Sequence, residues 1–252
     1  MRGQGAQGQK GVAGLERVAS SRGGERGVGD LLSVSSDESW ALKPYQPVGL
    51  SSLPTDWAAL PGTATEAAAI AQAVPDAVIL TGSEATADAL RNVDSPRILH
   101  IATHGFSVGD DPDDPRDDNP MVRSGLVFAG ANQDGGVDAL LLASEAASLD
   151  LDGTQLVVLS ACESGLGDAA NGEGVYGLRR ALQLAGSRSQ VMSLWPVDDA
   201  ATMEFMTGFY QRLEDGQGMS DSLRETKLEM MRSEKYSDPV YWAPFVLAGD
   251  WR

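Results

Sequence analysis

The chain has 252 residues, 42% of them apolar, and 36 acidic against 19 basic side chains give a formal net charge of −17. That balance excludes a general nucleic-acid binder, which needs a Lys/Arg surplus to neutralise phosphates, and it disfavours adhesion to an anionic membrane. No run of apolar residues is long enough to span a bilayer, and a single cysteine excludes an intramolecular disulfide framework. A signal-peptide-like apolar segment is absent from the N-terminal stretch. These features together predict a cytoplasmic protein in a reducing compartment, where a thiolate survives.

Residues 1–29 are rich in Gly, Arg, Gln and Ser and read as a disordered lead-in, because such a segment cannot bury enough surface to offset its ordering entropy. One folded domain is expected over 30–252. Leu31–Ser35 reads as a strand, and a loop with Pro44, Pro47, Pro54 and Pro61 follows. Thr65 is placed to cap an alanine-rich helix, Glu66 to Ala73. Ala77–Thr81 reads as a strand, Ser83 or Thr86 as the cap of a short helix ending near Asn92, and Ile98–Ala102 as another strand.

Asp110 to Asn119 holds six aspartates among prolines and reads as a solvent loop; its spacing misses the EF-hand pattern, so no metal site is expected there. Leu126–Phe128 and Val137–Leu142, separated by Asp134-Gly-Gly136, predict a hairpin. Leu156–Leu159 has the apolar run of a strand buried on both faces. A helix should then carry Val175, Leu178, Leu182 and Ala185 on one face, with Gly186 as its stop. Gln190–Trp195 reads as a strand, Ala200–Leu213 and Ser220–Arg232 as helices, and Phe245–Leu247 as a closing strand. Strands alternating with helices predict a three-layer α/β sandwich with a mostly parallel sheet.

Chemistry concentrates at two strand ends. Cys162, the one cysteine, follows the Leu156–Leu159 run directly, and ligands bind at the carboxyl ends of such strands. His104 lies in the other stretch, Arg97 to Phe106, which carries both histidines, where the strand is expected to give way to a loop. A cysteine with a histidine roughly 50 residues upstream, at the end of another strand, is the caspase order of nucleophile and base. The amide of Cys162 and that of Gly105, whose missing Cβ permits close approach, are the candidate oxyanion donors. His100, four residues before His104 among apolar neighbours, reads as a buried, hydrogen-bonded histidine. Two histidines on one strand do not supply the three protein ligands of a catalytic zinc site. Neither a Walker pattern, a G-x-G-x-x-G turn after a strand, nor a G-x-S-x-G elbow occurs.

The chain resembles the CHAT domain, a caspase-like module often found beside TPR repeats in bacterial proteins. The matching motifs are Leu60-Pro-Gly62 with Glu66, then Glu84-Ala-Thr86, and Leu99-His-Ile-Ala-Thr-His-Gly-Phe106. After these come Leu156-Val-Val-Leu-Ser-Ala-Cys-Glu-Ser-Gly165, Ser193-Leu-Trp-Pro-Val-Asp-Asp199 and Tyr241-Trp-Ala-Pro-Phe-Val-Leu-Ala-Gly-Asp250. Asp238 departs from the family, which often has His there, and the TPR repeats are missing, which points to a trimmed protein or one regulated by another chain.

The resemblance implies a caspase-haemoglobinase fold and a cysteine endopeptidase with a His104–Cys162 dyad, oxyanion donors at Gly105 and Cys162, and no metal or cofactor. In related metacaspases an Asp two residues before the cysteine lines the pocket for a basic side chain. Ser160 stands there, leaving Ser160, Trp195, Asp198 and Asp199 as candidate substrate contacts, with a helix cap as the other reading of the two aspartates. The implied partners are a protein or peptide substrate and an activating protein of TPR or other type, in a setting of bacterial defence or cell death. The competing expectation is a catalytically silent interaction scaffold.

Overall fold

The computed structural model describes residues 14–18, 53–54, 56–74, 76–108, 119–133, 136–160, 173–195 and 197–250, with the backbone alone for 14–18 and 173–175. The expected strand Leu31–Ser35, most of the aspartate-rich loop, Cys162 and the glycine-rich loop after it lie outside the described residues.

A six-stranded sheet organises the molecule. Its order is β2 (Ala77–Thr81), β1 (Gly14–Val18), β3 (Ile98–Ala102), β7 (Leu156–Leu159), β8 (Ser189–Ser193) and β9 (Phe245–Gly249). Strands β3, β7 and β8 pair in parallel, β1 runs antiparallel to both β2 and β3, and β9 antiparallel to β8. Four of the six strands therefore run the same way, as an α/β chain with helical crossovers requires.

Strand alternation divides the core in two. Leu99, Ile101, Val157 and Leu159 face one side, where they meet Leu178, Ala181 and Leu182 of α5 (Glu173–Leu184) and Leu90 of α2 (Ala87–Arg91). Ile98, Leu156 and Val158 face the other, against Ile70 of α1 (Pro61–Ala73) and Phe205, Met206 and Phe209 of α6 (Asp199–Glu214). Leu223 and Met230 of α7 (Met219–Arg232) complete that side. Helices cover both faces, and Phe205, Met206 and Phe209 of α6 are core packing. Gly186 ends α5 with φ +110°, and an added Cβ would meet the backbone of Asp152 at 2.9 Å.

A small sheet of β4 (His104–Ser107), β5 (Ser124–Val127) and β6 (Leu140–Leu142) sits beyond the end of β3. Thr103 is the corner between the two sheets, its hydroxyl donating to the Val127 carbonyl. The expected hairpin is present as β5 and β6, although its second arm opens with a 3₁₀ turn over Gly136–Ala139. The short helix α3 (Pro120–Arg123) is capped by Asn119, and α4 (Ala143–Ala146) is tied by the Leu142 N–H to Glu145.

Three expectations need correction. The segment read as an unstructured lead-in contributes β1 inside the large sheet; ladder bonds come from backbone groups, so a five-residue strand between glycines can pair without an apolar pattern. Helix α1 starts at Pro61 rather than after Thr65, because proline at the first helical position lacks only an N–H that would be unpaired there anyway. The chain after Ala102 does not pass into a loop at His104 but starts β4. Elsewhere β2 and β3 occupy the expected residues, and Thr86 rather than Ser83 caps α2, accepting from the Ala89 N–H at 3.1 Å.

Candidate active site

Strands β3 and β7 are parallel neighbours with Ile101 opposite Leu159, and the Ser160 N–H donates to the Ile101 carbonyl at 3.1 Å. His104 and Cys162 each lie three residues further along the sequence than this last paired position. The geometry of Cys162 lies outside the described residues; that of His104 is defined in detail.

His104 is 6% exposed and opens β4 opposite Val127. Its Nε2 lies 2.7 Å from the Ala58 carbonyl oxygen. A carbonyl only accepts, so Nε2 carries the proton, and in the neutral ring the lone pair resides on Nδ1. The indole of Trp57 packs beside the imidazole, centroids 5.6 Å apart and tilted by 42°. Trp57 belongs to a small buried cluster with Phe106, Val127 and Leu142, so the strand that carries His104 also holds the indole against it. Gly105 is buried in β4 opposite Leu126.

His100 has a different environment. It is 1% exposed, and its Nδ1 lies 2.8 Å from the Tyr210 hydroxyl. Its Nε2 is 3.2 Å from Ser160 Oγ, which donates to Glu66 Oε2 at 3.2 Å. Since the single hydroxyl proton of Ser160 goes to the carboxylate, His100 Nε2–H is the donor to Ser160, and in the neutral ring Nδ1 accepts from Tyr210. The chain of donors runs Tyr210, His100, Ser160, Glu66 in one direction. Glu66 Oε1 is also 3.2 Å from His100 Nε2 but without hydrogen-bond alignment. The expectation of a buried, hydrogen-bonded His100 matches this arrangement.

The remaining substrate candidates are spread around this centre. Ser160 is buried within that relay. Trp195 is 38% exposed, its Nε1–H donates to the Val240 carbonyl, and exposed Leu194 and Val240 flank it at the end of β8. Asp198 caps α6, accepting from the Ala201 N–H at 3.0 Å. Asp199 accepts from the Gly62 N–H at 3.0 Å, and a Cβ on residue 62 would lie 2.3 Å from that of Asp199. The helix-cap reading thus describes Asp198, and Asp199 joins the starts of α6 and α1.

Trp57, Ala58 and Tyr210 are not legible as site residues in the sequence. Ala58 acts through its backbone, which no side-chain pattern reports, and Tyr210 falls among the apolar residues of α6. A lone tryptophan in a Pro/Ser-rich stretch is the one available signal. Among the described residues no group of three or more His, Cys, Asp or Glu could hold a metal ion, and no helix is long and apolar enough to cross a membrane.

A family model for the CHAT domain matches residues 29–250. The chain belongs to the CHAT family. CHAT domains are a caspase-like cysteine peptidase family, and the match leaves β1 outside its limits. Over 112 residues this CHAT chain is 36% identical to "Tetratricopeptide repeat protein 28" of Mus musculus and 35% identical to the Homo sapiens protein of that name. Each match covers 44% of this chain and 4% of the relative, so the chain spans a small fraction of their length. Both relatives are mammalian, and they lend nothing to the expectation of a bacterial setting.

Proposed function

We propose that this CHAT domain is a cysteine endopeptidase of the caspase-haemoglobinase type, with His104 as base and Cys162 as nucleophile. The observation that carries the reading is the fixed tautomer of His104: Nε2–H is spent on the Ala58 carbonyl, which assigns proton acceptance to Nδ1. The matched positions of His104 and Cys162 beyond the β3–β7 pairing support it.

Nδ1 takes the thiol proton as Cys162 Sγ bonds to the peptide carbonyl carbon. The backbone amides of Gly105 and Cys162 receive the oxyanion. As the C–N bond breaks, the imidazolium returns the proton to the leaving amine, and a thioester remains. Water then attacks with its proton passing to Nδ1, and collapse restores the thiol. The Ala58 carbonyl orients the ring through both steps and stabilises the N–H it accepts from.

The substrate is a protein or peptide. Trp195 and its exposed apolar neighbours would border the bound chain at the end of β8, whereas Ser160, Asp198 and Asp199 have structural partners already. Because the mammalian relatives are named for tetratricopeptide repeats, a TPR-type protein is the proposed regulator.

The test is cleavage of a diverse peptide library by the full chain, beside Cys162→Ala and His104→Ala. Cleavage should vanish in the first and fall by about 10²–10⁴ in the second, with rapid alkylation of Cys162 near neutral pH in the parent. Slow alkylation together with no cleavage would replace this reading with the silent scaffold.

A further inference from the structure

The grip on His104 depends on a two-residue piece of chain, Trp57-Ala58, that belongs to no helix or strand. Such a segment holds a carbonyl in place only if something fixes its own backbone. The fixing group comes from 75 residues away. Asn132 accepts from the Trp57 N–H at Oδ1, 2.8 Å, and donates from Nδ2 to the Trp57 carbonyl, 2.9 Å. One side-chain amide thus meets both polar groups of Trp57, as a partner strand would.

The turn that presents Asn132 is itself constrained. Ala131 N–H donates to the Phe128 carbonyl, Gln133 N–H to Gly130 and Gly136 N–H to Gln133, while Phe128 and Ala129 donate to Ala139 and Ala85. Gly130 takes φ +104° within it, and a Cβ on Gly136 would lie 2.3 Å from the Ala131 carbonyl oxygen. Ala131 also packs against the cluster that holds Trp57. Asn132 lies largely on the surface, so its bonding to Trp57 is not a demand of core packing.

We propose that Asn132 is a positioning residue for His104: it fixes Trp57-Ala58, and through the Ala58 carbonyl and the Trp57 indole it sets the tautomer and orientation of the imidazole. The consequence for peptide cleavage rests on the peptidase reading above; the consequence for the imidazole does not.

The experiment is imidazole 15N spectroscopy on the full chain, with His104 assigned by a His104→Gln variant, in the parent and in Asn132→Ala and Asn132→Asp. The aspartate is nearly isosteric and retains an acceptor for the Trp57 N–H, but it sets an oxygen against the Trp57 carbonyl, so it serves if the alanine variant does not fold. The parent His104 should show the Nε2–H tautomer. Both variants should gain the Nδ1–H form, with His100 resonances unchanged. Peptide cleavage should lose about 10- to 100-fold in kcat at little change in KM, as small misplacements of a reacting group do. His104 spectra identical to the parent in both variants would overturn the proposal, as would changes confined to His100 or to melting temperature. Absence of cleavage in the parent together with slow alkylation of Cys162 would remove the peptidase reading, and the His104 spectra would still decide for or against Asn132.

Discussion

His100 and His104 stand four residues apart on one chain, and both donate from Nε2, yet their surroundings give them opposite capacities. His100 lies inside the sheet–helix interface, its Nδ1 meeting Tyr210 and its Nε2 meeting Ser160, with Glu66 beyond. These three side chains come from different elements: α6, the end of β7, and α1. His104 stands past the sheet corner at Thr103, where its Nε2 partner is a backbone carbonyl on an irregular segment. A histidine locked by side chains on both nitrogens joins layers together. One whose Nε2–H is held by a backbone carbonyl has its acceptor lone pair on Nδ1 in the neutral ring. The difference lies in which atoms surround each ring, not in burial, since both are nearly inaccessible.

Exchanging the losses would break or confirm this contrast. His100→Ala removes the neighbour of three buried polar groups, on Tyr210, Ser160 and Glu66, and should cost about 3 kcal/mol of stability. His104→Ala should cost about 1 kcal/mol, because a backbone carbonyl near a loop can turn to water. Urea denaturation of the two variants measures both values, and equal destabilisation would erase the distinction. A milder cut sharpens it: Tyr210→Phe keeps the ring packed beside Phe209 while removing the donor to His100 Nδ1. It should lose about 1–2 kcal/mol and leave thiol alkylation at the parental rate. A fall in alkylation would place the buried relay within the site's chemistry instead.

The two regions also differ in how far the sequence reveals them. The apolar runs of β3 and β7 and the stripe of α6 are periodic, and their strands and helix fall where the pattern puts them. His100 on β3 could therefore be read as buried from its neighbours alone. Around His104 the signals mislead: the residue reads as the point where a strand gives way to a loop, although it opens β4 and pairs with β5. Ala58 contributes a carbonyl, and Asn132 lies in a Gly/Asn/Asp turn where asparagine is expected for turn geometry alone. Contacts between a backbone and a side chain 75 residues apart have no period to detect. Strand β1 was hidden for a related reason, since its five residues pair through the backbone in a Gly/Arg-rich stretch.

The smallest effect separates the two adjacent aspartates from the substrate. Asp198 accepts from the Ala201 N–H, and Asp199 reaches across to the Gly62 N–H near the start of α1. Both sit where a helix leaves amides unpaired and where its dipole favours negative charge. Asp198→Ala should therefore lower stability by about 1 kcal/mol, and Asp199→Ala by about 0.5 kcal/mol. If these acids serve the helices alone, the set of peptides cleaved by each variant matches the parent. A change in the residue preferred before the cut, with stability intact, would instead return one of them to the substrate. Asp199 is the more exposed to that outcome, because Gly62 lies only four residues beyond the carbonyl that holds His104.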